Sequence, residues 1–89
     1  MRAVITVIGK DTVGIISKVS AYLAEKKINI VDITQSVLSE FFCMVMLVDL
    51  KNSTEPFSET VDALEAVGRE SNLEIHVMHE DIFNSMHKI

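Results

Sequence analysis

The sequence predicts an α+β fold in which a four-stranded antiparallel sheet carries two helices on one face, in the order βαββαβ, with a short C-terminal helix added. Three observations predict it. Two stretches of helical period each lie between strand-like runs. A polar pair, Ser39-Glu40, separates two β-rich runs that have no helix between them. The 89 residues leave room for one domain, residues 1–89, with no linker or low-complexity segment to divide it.

The first run, residues 2–8, is compact and rich in β-branched side chains, the pattern of a central strand buried on both faces. Gly9 to Gly14 interrupt it. From Val13 to Lys27 the period turns helical, with Ile15, Ile16, Val19, Tyr22 and Leu23 on one face and Lys18, Glu25 and Lys26 off it. Asp11 or Thr12 is expected to supply the N-cap oxygen, Lys26-Lys27 to complement the C-terminal dipole, and Asn29 to take a left-handed turn. Residues 30–38 set Val31, Ile33 and Val37 against Asp32, Thr34 and Ser36. After the turn at Ser39-Glu40, residues 41–50 are apolar on both faces, which predicts a strand covered on both sides.

Pro56 fits the first turn of the second helix, whose apolar stripe is Phe57, Val61, Leu64 and Val67. Residues 73–79 alternate as a fourth strand, and Ile82, Phe83, Met86 and Ile89 recur at helical spacing in the tail. Two strand–helix–strand crossovers joined by a hairpin make the ferredoxin-like split βαβ unit. Right-handed crossovers place both helices on one face. Met44 and Met46 are expected on the other face, open to the terminal helix or to a second subunit. With 48% apolar residues in so short a chain, part of the apolar surface is expected to serve a partner, and a homodimer joined edge to edge is predicted.

Composition excludes several functions. A net charge of −5 and scattered basic residues lack the phosphate-neutralising term on which nucleic-acid binding depends, and offer no polybasic stretch for an anionic membrane. Phe41 and Phe42 point to opposite faces without basic neighbours, so core packing is expected of them rather than base stacking. The apolar N-terminal run is too short for a signal peptide, no run spans a membrane, and a cytoplasmic location follows. Cys43, the single cysteine, is expected to be a buried, inert thiol. Gly9 and Gly14 have the spacing of a phosphate-binding loop, but Ile15-Ile16 stand where lysine and a hydroxyl are needed. His76 and His79 fall on opposite faces of a strand, which argues against joint metal ligation. An acylphosphatase-like site needs an arginine in the first loop, and Arg2 and Arg69 lie elsewhere. No cofactor, metal or catalytic residue is expected.

Gly9-Lys10-Asp11-Thr12-Val13-Gly14-Ile15, followed by Asn29-Ile30 at the second strand, resembles the pattern of ACT domains, and the resemblance covers essentially the whole chain. It is similar in particular to stand-alone ACT proteins ending in a segment like Glu80-Asp81-Ile82-Phe83, and to the ACT modules of glycine-cleavage repressors and formyltetrahydrofolate deformylases. The resemblance implies a non-catalytic regulatory homodimer that binds an amino acid or related metabolite at its interface and acts on a separate enzyme or regulator. It also implies a site on Asp11, Thr12, Val13, Gly14, Ile15 and Asn29. Val13 stands where many members have proline, and Gly9 offers no side chain where some amino-acid binders place a polar contact.

The residues support such a site on their own terms. A helix start leaves N–H groups for a carboxylate, a glycine permits close approach, and an asparagine both donates and accepts. Each also has a plainer role: Asp11 as N-cap, Gly14 for helix–sheet packing, Asn29 as helix terminator. With those roles alone the chain is a protein–protein interaction module without a small ligand.

Overall fold

A computed structural model describes residues 1–10 and 14–86. Among them the elements run β1 (Arg2–Gly9), α1 (Ile15–Glu25), β2 (Asn29–Leu38), β3 (Phe41–Asp49), α2 (Phe57–Glu70), β4 (Glu74–His79) and α3 (Glu80–Met86). The strands form one antiparallel sheet in the order β2-β3-β1-β4. This is the predicted ferredoxin-like βαββαβ fold with its C-terminal helix. The described residues span 35 × 35 × 19 Å, the thickness of a sheet and one helical layer.

Strand register decides which side chains meet the helices. Ala3, Ile5 and Val7 of β1 pair with Val48, Met46 and Met44 of β3, so these six share a face. All are essentially inaccessible and join one core with Ile15, Val19 and Leu23 of α1, Leu64 of α2 and Ile75 of β4. Met44 and Met46 therefore lie under the helices, not on the open face as expected. A one-residue difference in strand parity inverts every side chain, and the apolar content of β3 on both faces hid that parity. The opposite face of β3, with Cys43, Val45 and Leu47, is only half-buried. The expectation of cover on both sides thus fails for this strand, and Cys43 is not the fully buried thiol expected. Phe42 is in the core, whereas Phe41 is 44% exposed on the open face.

The far side of the sheet is covered only in part. α3 folds against β1 and β4, and Arg2 holds Glu80 at 3.1 Å. Val4, which points away from the main core, is buried there. Ile82 and Met86 of α3 remain exposed, so the apolar spacing of the tail does not mark a core-facing stripe. Ile89 lies outside the described residues.

α1 and α2 both begin without a side-chain cap. Asp11 and Thr12, the expected caps of α1, lie outside the described residues. The N-cap position itself is Gly14, in left-handed conformation at φ 79°, and the helix runs from Ile15; Val13, where the helical period of the sequence begins, lies outside the described residues. At its far end the left-handed residue is Lys27, at φ 60°, not Asn29, which is already the first residue of β2. Lys26 sits at the C-cap and reaches Glu55 at 3.8 Å, which ties the end of α1 to the loop before α2. Pro56 is the N-cap of α2, one residue before the position expected.

Candidate functional site

β2 is the free edge of the sheet beside α1, and all ten of its residues are exposed. Ile33 and Val37 pair with Met46 and Phe42 and so continue the helix-side face outward, yet Val37 is 73% exposed. Leu38 is 78% exposed on the other side. A bulge between Ile30 and Asp32 interrupts only the first part of the strand. A long, regular edge carrying exposed apolar side chains on both faces is a template for another strand. The other edge, β4, is shorter and is packed by α2 and α3.

Of the sequence-predicted site residues, Gly14, Ile15 and Asn29 can be placed, and Asp11, Thr12 and Val13 lie outside the described residues. Ile15 is buried in the core, so only its backbone is available at the helix start. Gly14 is exposed, and a Cβ built on it meets nothing within 4 Å among the described residues. Its backbone conformation requires glycine; tight helix–sheet packing does not. Asn29 is exposed at the opposite end of α1, across from Asp49. Within one chain the structure does not bring Gly14 and Asn29 together.

The fold also builds a cleft that sequence reasoning missed. It has a volume of about 720 Å³ and opens where β1 ends, between Lys10, Phe41 and the α2–β4 turn. Lys10 Nζ lies 5.7 Å from the centroid of the Phe41 ring and 3.7 Å from Glu40. Phe41 thus has the basic neighbour its local sequence does not offer. Arg69 and Ser71 reach the same cleft from the end of α2. No local motif links these segments; only the pairing of Gly9 with Phe42 and of Ile8 with Glu74 brings them to one rim.

The histidines make local contacts instead of a centre. His76 pairs with Glu74 at 3.2 Å, and His79 Nδ1 accepts the Asp81 backbone N–H at 3.0 Å. They occupy opposite faces, opposite Thr6 and Ala3. Among the described residues no group of three or more His, Cys, Asp or Glu side chains is placed to hold a metal ion. Nor is any helix among them long and apolar enough to cross a membrane.

A sheet in the order β2-β3-β1-β4 with two crossover helices and an exposed glycine turn after β1 defines a class of small α+β domains, and comparison with known proteins identifies it. Residues 2–78 match the ACT domain model, and the chain belongs to the ACT domain family. It is 48% identical over 89 residues, all of both chains, to a UPF0237 protein of Listeria innocua. An ACT domain protein from Streptococcus pneumoniae superposes with a TM-score of 0.81 at 40% identity, over 93% of each chain. The regulatory subunit of aspartate kinase from Thermus thermophilus does so with a TM-score of 0.64 at 32% identity, over 86% of this chain and 50% of that one.

Proposed function

We propose that the protein is a non-catalytic, cytoplasmic regulatory module: two copies pair across their β2 edges and enclose an amino acid or related small metabolite. One observation carries this reading. Gly14 and Asn29 flank the same bare edge strand at its two ends. A two-fold axis beside β2 runs the two strands antiparallel, and so sets Asn29 of the partner subunit beside the first loop. The exposed helix start then supplies N–H donors for a carboxylate, and the asparagine supplies a donor and an acceptor for the rest of the ligand. Pairing of this kind is isologous and gives two equivalent sites. A stable pair needs to bury about 1,200–2,000 Å² in total, and exposed Ile33, Val37 and Leu38 supply its apolar part.

In this reading the ligand acts by shifting the arrangement of the pair or by docking it onto a separate enzyme or regulator. Such coupling amounts to ~1–3 kcal/mol. Similarity to the regulatory subunit of aspartate kinase supports the regulatory part of the reading.

The test is a thermal-unfolding panel of the twenty amino acids at millimolar concentration, run beside sedimentation. Ligand at a hundredfold excess over Kd stabilises by roughly 2.7 kcal/mol, well above the resolution of the measurement. A selective shift for one or a few amino acids is expected. A flat panel with the dimer retained would leave β2 as a protein-pairing surface without a ligand, and a monomer would overturn both readings.

A further inference from the structure

We infer that the cleft between Lys10, Phe41 and the α2–β4 turn is a second, intrachain binding site, for a small carboxylate that carries an apolar group. The inference is independent of the interface site, because every residue it uses belongs to one chain and none of them lies on β2.

The cleft has the two halves such a ligand needs. Its apolar wall is Ile8, Phe41 and Leu73, of which Ile8 is 42% and Phe41 44% exposed. Its charged side is Lys10 and Arg69, brought from segments far apart in sequence to the rim of one cavity in a chain of net charge −5. Arg69 makes no ion pair among the described residues. Lys10 pairs with Glu40 only at 3.7 Å, with both side chains about two-thirds exposed, and such pairs contribute little and exchange readily. Glu74, the acid that also borders the cleft, lies 3.2 Å from His76 with its side chain 75% exposed, where solvent screens its charge.

Ser71 borders the same cleft at the end of α2: its backbone N–H is satisfied by the Val67 and Gly68 carbonyls, and its Oγ, shielded from solvent, has no hydrogen-bond partner among the described residues. The volume, about 720 Å³, is in the range of small-molecule sites, which are mostly apolar with a few convergent polar groups. Arginine holds a carboxylate bidentately, and the aromatic wall receives the apolar portion.

The experiment is titration of the ¹⁵N-labelled full chain with 4-methyl-2-oxopentanoate, followed by amide shifts. Two probes each carry half of the ligand: acetate has the carboxylate alone, and 3-methylbutan-1-ol has the branched apolar group alone. Saturable shifts at Lys10, Phe41, Arg69, Ser71 and Leu73 are expected with the oxo acid in the millimolar range, and no saturation with either half. Arg69→Gln or Lys10→Gln, both surface changes, should weaken binding about tenfold or more while amides at the Asn29 end of β2 stay in place. Absence of saturable shifts at the cleft would overturn the proposal. So would equal binding of either half-probe, of inorganic phosphate, or of the oxo acid to both variants. Asn29→Ala, which removes the interface contact, should leave this titration unchanged, so failure of one site is read separately from failure of the other.

Discussion

Gly14 and Asn29 stand at opposite ends of α1, the glycine immediately before Ile15 and the asparagine just past the Lys26-Lys27 turn. Eleven helical residues at ~1.5 Å rise separate them by roughly 16 Å, too far for one small ligand to touch both. What unites them is β2, which runs back along the same length with its outer edge unpaired. A site using both residues therefore requires two chains, and its chemistry depends on that edge.

The first prediction concerns the edge itself. Val37 is 73% exposed and makes no contribution to the core, so Val37→Lys should leave the stability of one chain within ~0.5 kcal/mol of the parent. In a strand-paired dimer the introduced ammonium is buried against a partner, and charge on an edge strand is a recognised block to pairing. Sedimentation should show a dimer for the parent and a monomer for the variant at the same micromolar concentration. A matching change on the opposite edge, His76→Lys, should leave the dimer intact.

Gly68 offers a test of which of two opposing effects wins. Glycine within a helix ordinarily costs ~0.5–1 kcal/mol relative to alanine, so Gly68→Ala would stabilise an isolated α2. Here an added Cβ would lie 2.9 Å from the Leu73 backbone oxygen and 3.1 Å from Ile75 Cγ1. Neither obstacle is a flexible chain end, and the Gly68 carbonyl accepts the Leu73 N–H at 2.8 Å, which fixes the turn. Overpacking of this sort costs about 1–3 kcal/mol, so the net effect should be destabilising. Urea unfolding of the variant, with an unchanged m value and a lower midpoint, is the expected result.

These details mark where the sequence is informative. The β1 and α1 patterns are legible because Ala3 to Ile8 form a short run rich in β-branched residues, and Ile15, Val19 and Leu23 recur at helical spacing with Ser17, Lys18 and Ser20 between them. β3 is different: Phe41 to Leu47 are apolar at nearly every position, and alternation that is invisible in composition cannot assign Met44 and Met46 to a face. The cleft is illegible for another reason. Lys10 and Arg69 meet only through strand register and the α2–β4 turn, and neither residue has a neighbour in sequence that hints at the other. Gly14 reads from the sequence as an opening, but the physical cause is its left-handed backbone, which spacing alone does not reveal.

Tyr22 and Glu55 make the third test. The tyrosine hydroxyl donates to Glu55 Oε1, which also accepts from Thr60 Oγ1 at 3.4 Å, while Lys26 approaches the other oxygen at 3.8 Å. Thr60 is the one buried polar residue among the described residues, and its other acceptor is the Pro56 carbonyl. The cluster thus locks the end of α1 to the start of α2. Tyr22→Phe keeps the ring packing and deletes one donor to a charged acceptor, so a loss of about 1.5–3 kcal/mol is expected. Glu55→Gln combined with Tyr22→Phe should cost less than the two single changes added together, because both remove the same contact. Strict additivity in a double-mutant cycle would refute the link.

The last prediction tests whether the ligand site is shared between chains, and it turns on mixing subunits. Gly14→Leu places a bulky, unbranched-at-Cβ side chain at a position whose Cβ meets no described residue within 4 Å, at a backbone cost of about 1–2 kcal/mol for the left-handed conformation. Asn29→Ala removes the amide at the other end of the strand with no loss of buried contact, since Asn29 is exposed. Each homodimer carries its defect in both sites and should give no thermal shift with the amino acid that stabilises the parent. A heterodimer of the two variants differs. One of its sites carries both substitutions together, but the other combines an unaltered glycine turn with an unaltered Asn29 of the partner subunit. Unfolding and refolding the variants together in equal amounts should therefore restore ligand binding to about one quarter of the parent's site number, because half of the random dimers are mixed and each has one intact site. Were each site built within a single chain, every chain in the mixture would retain one defect, and isothermal titration would find no recovered sites.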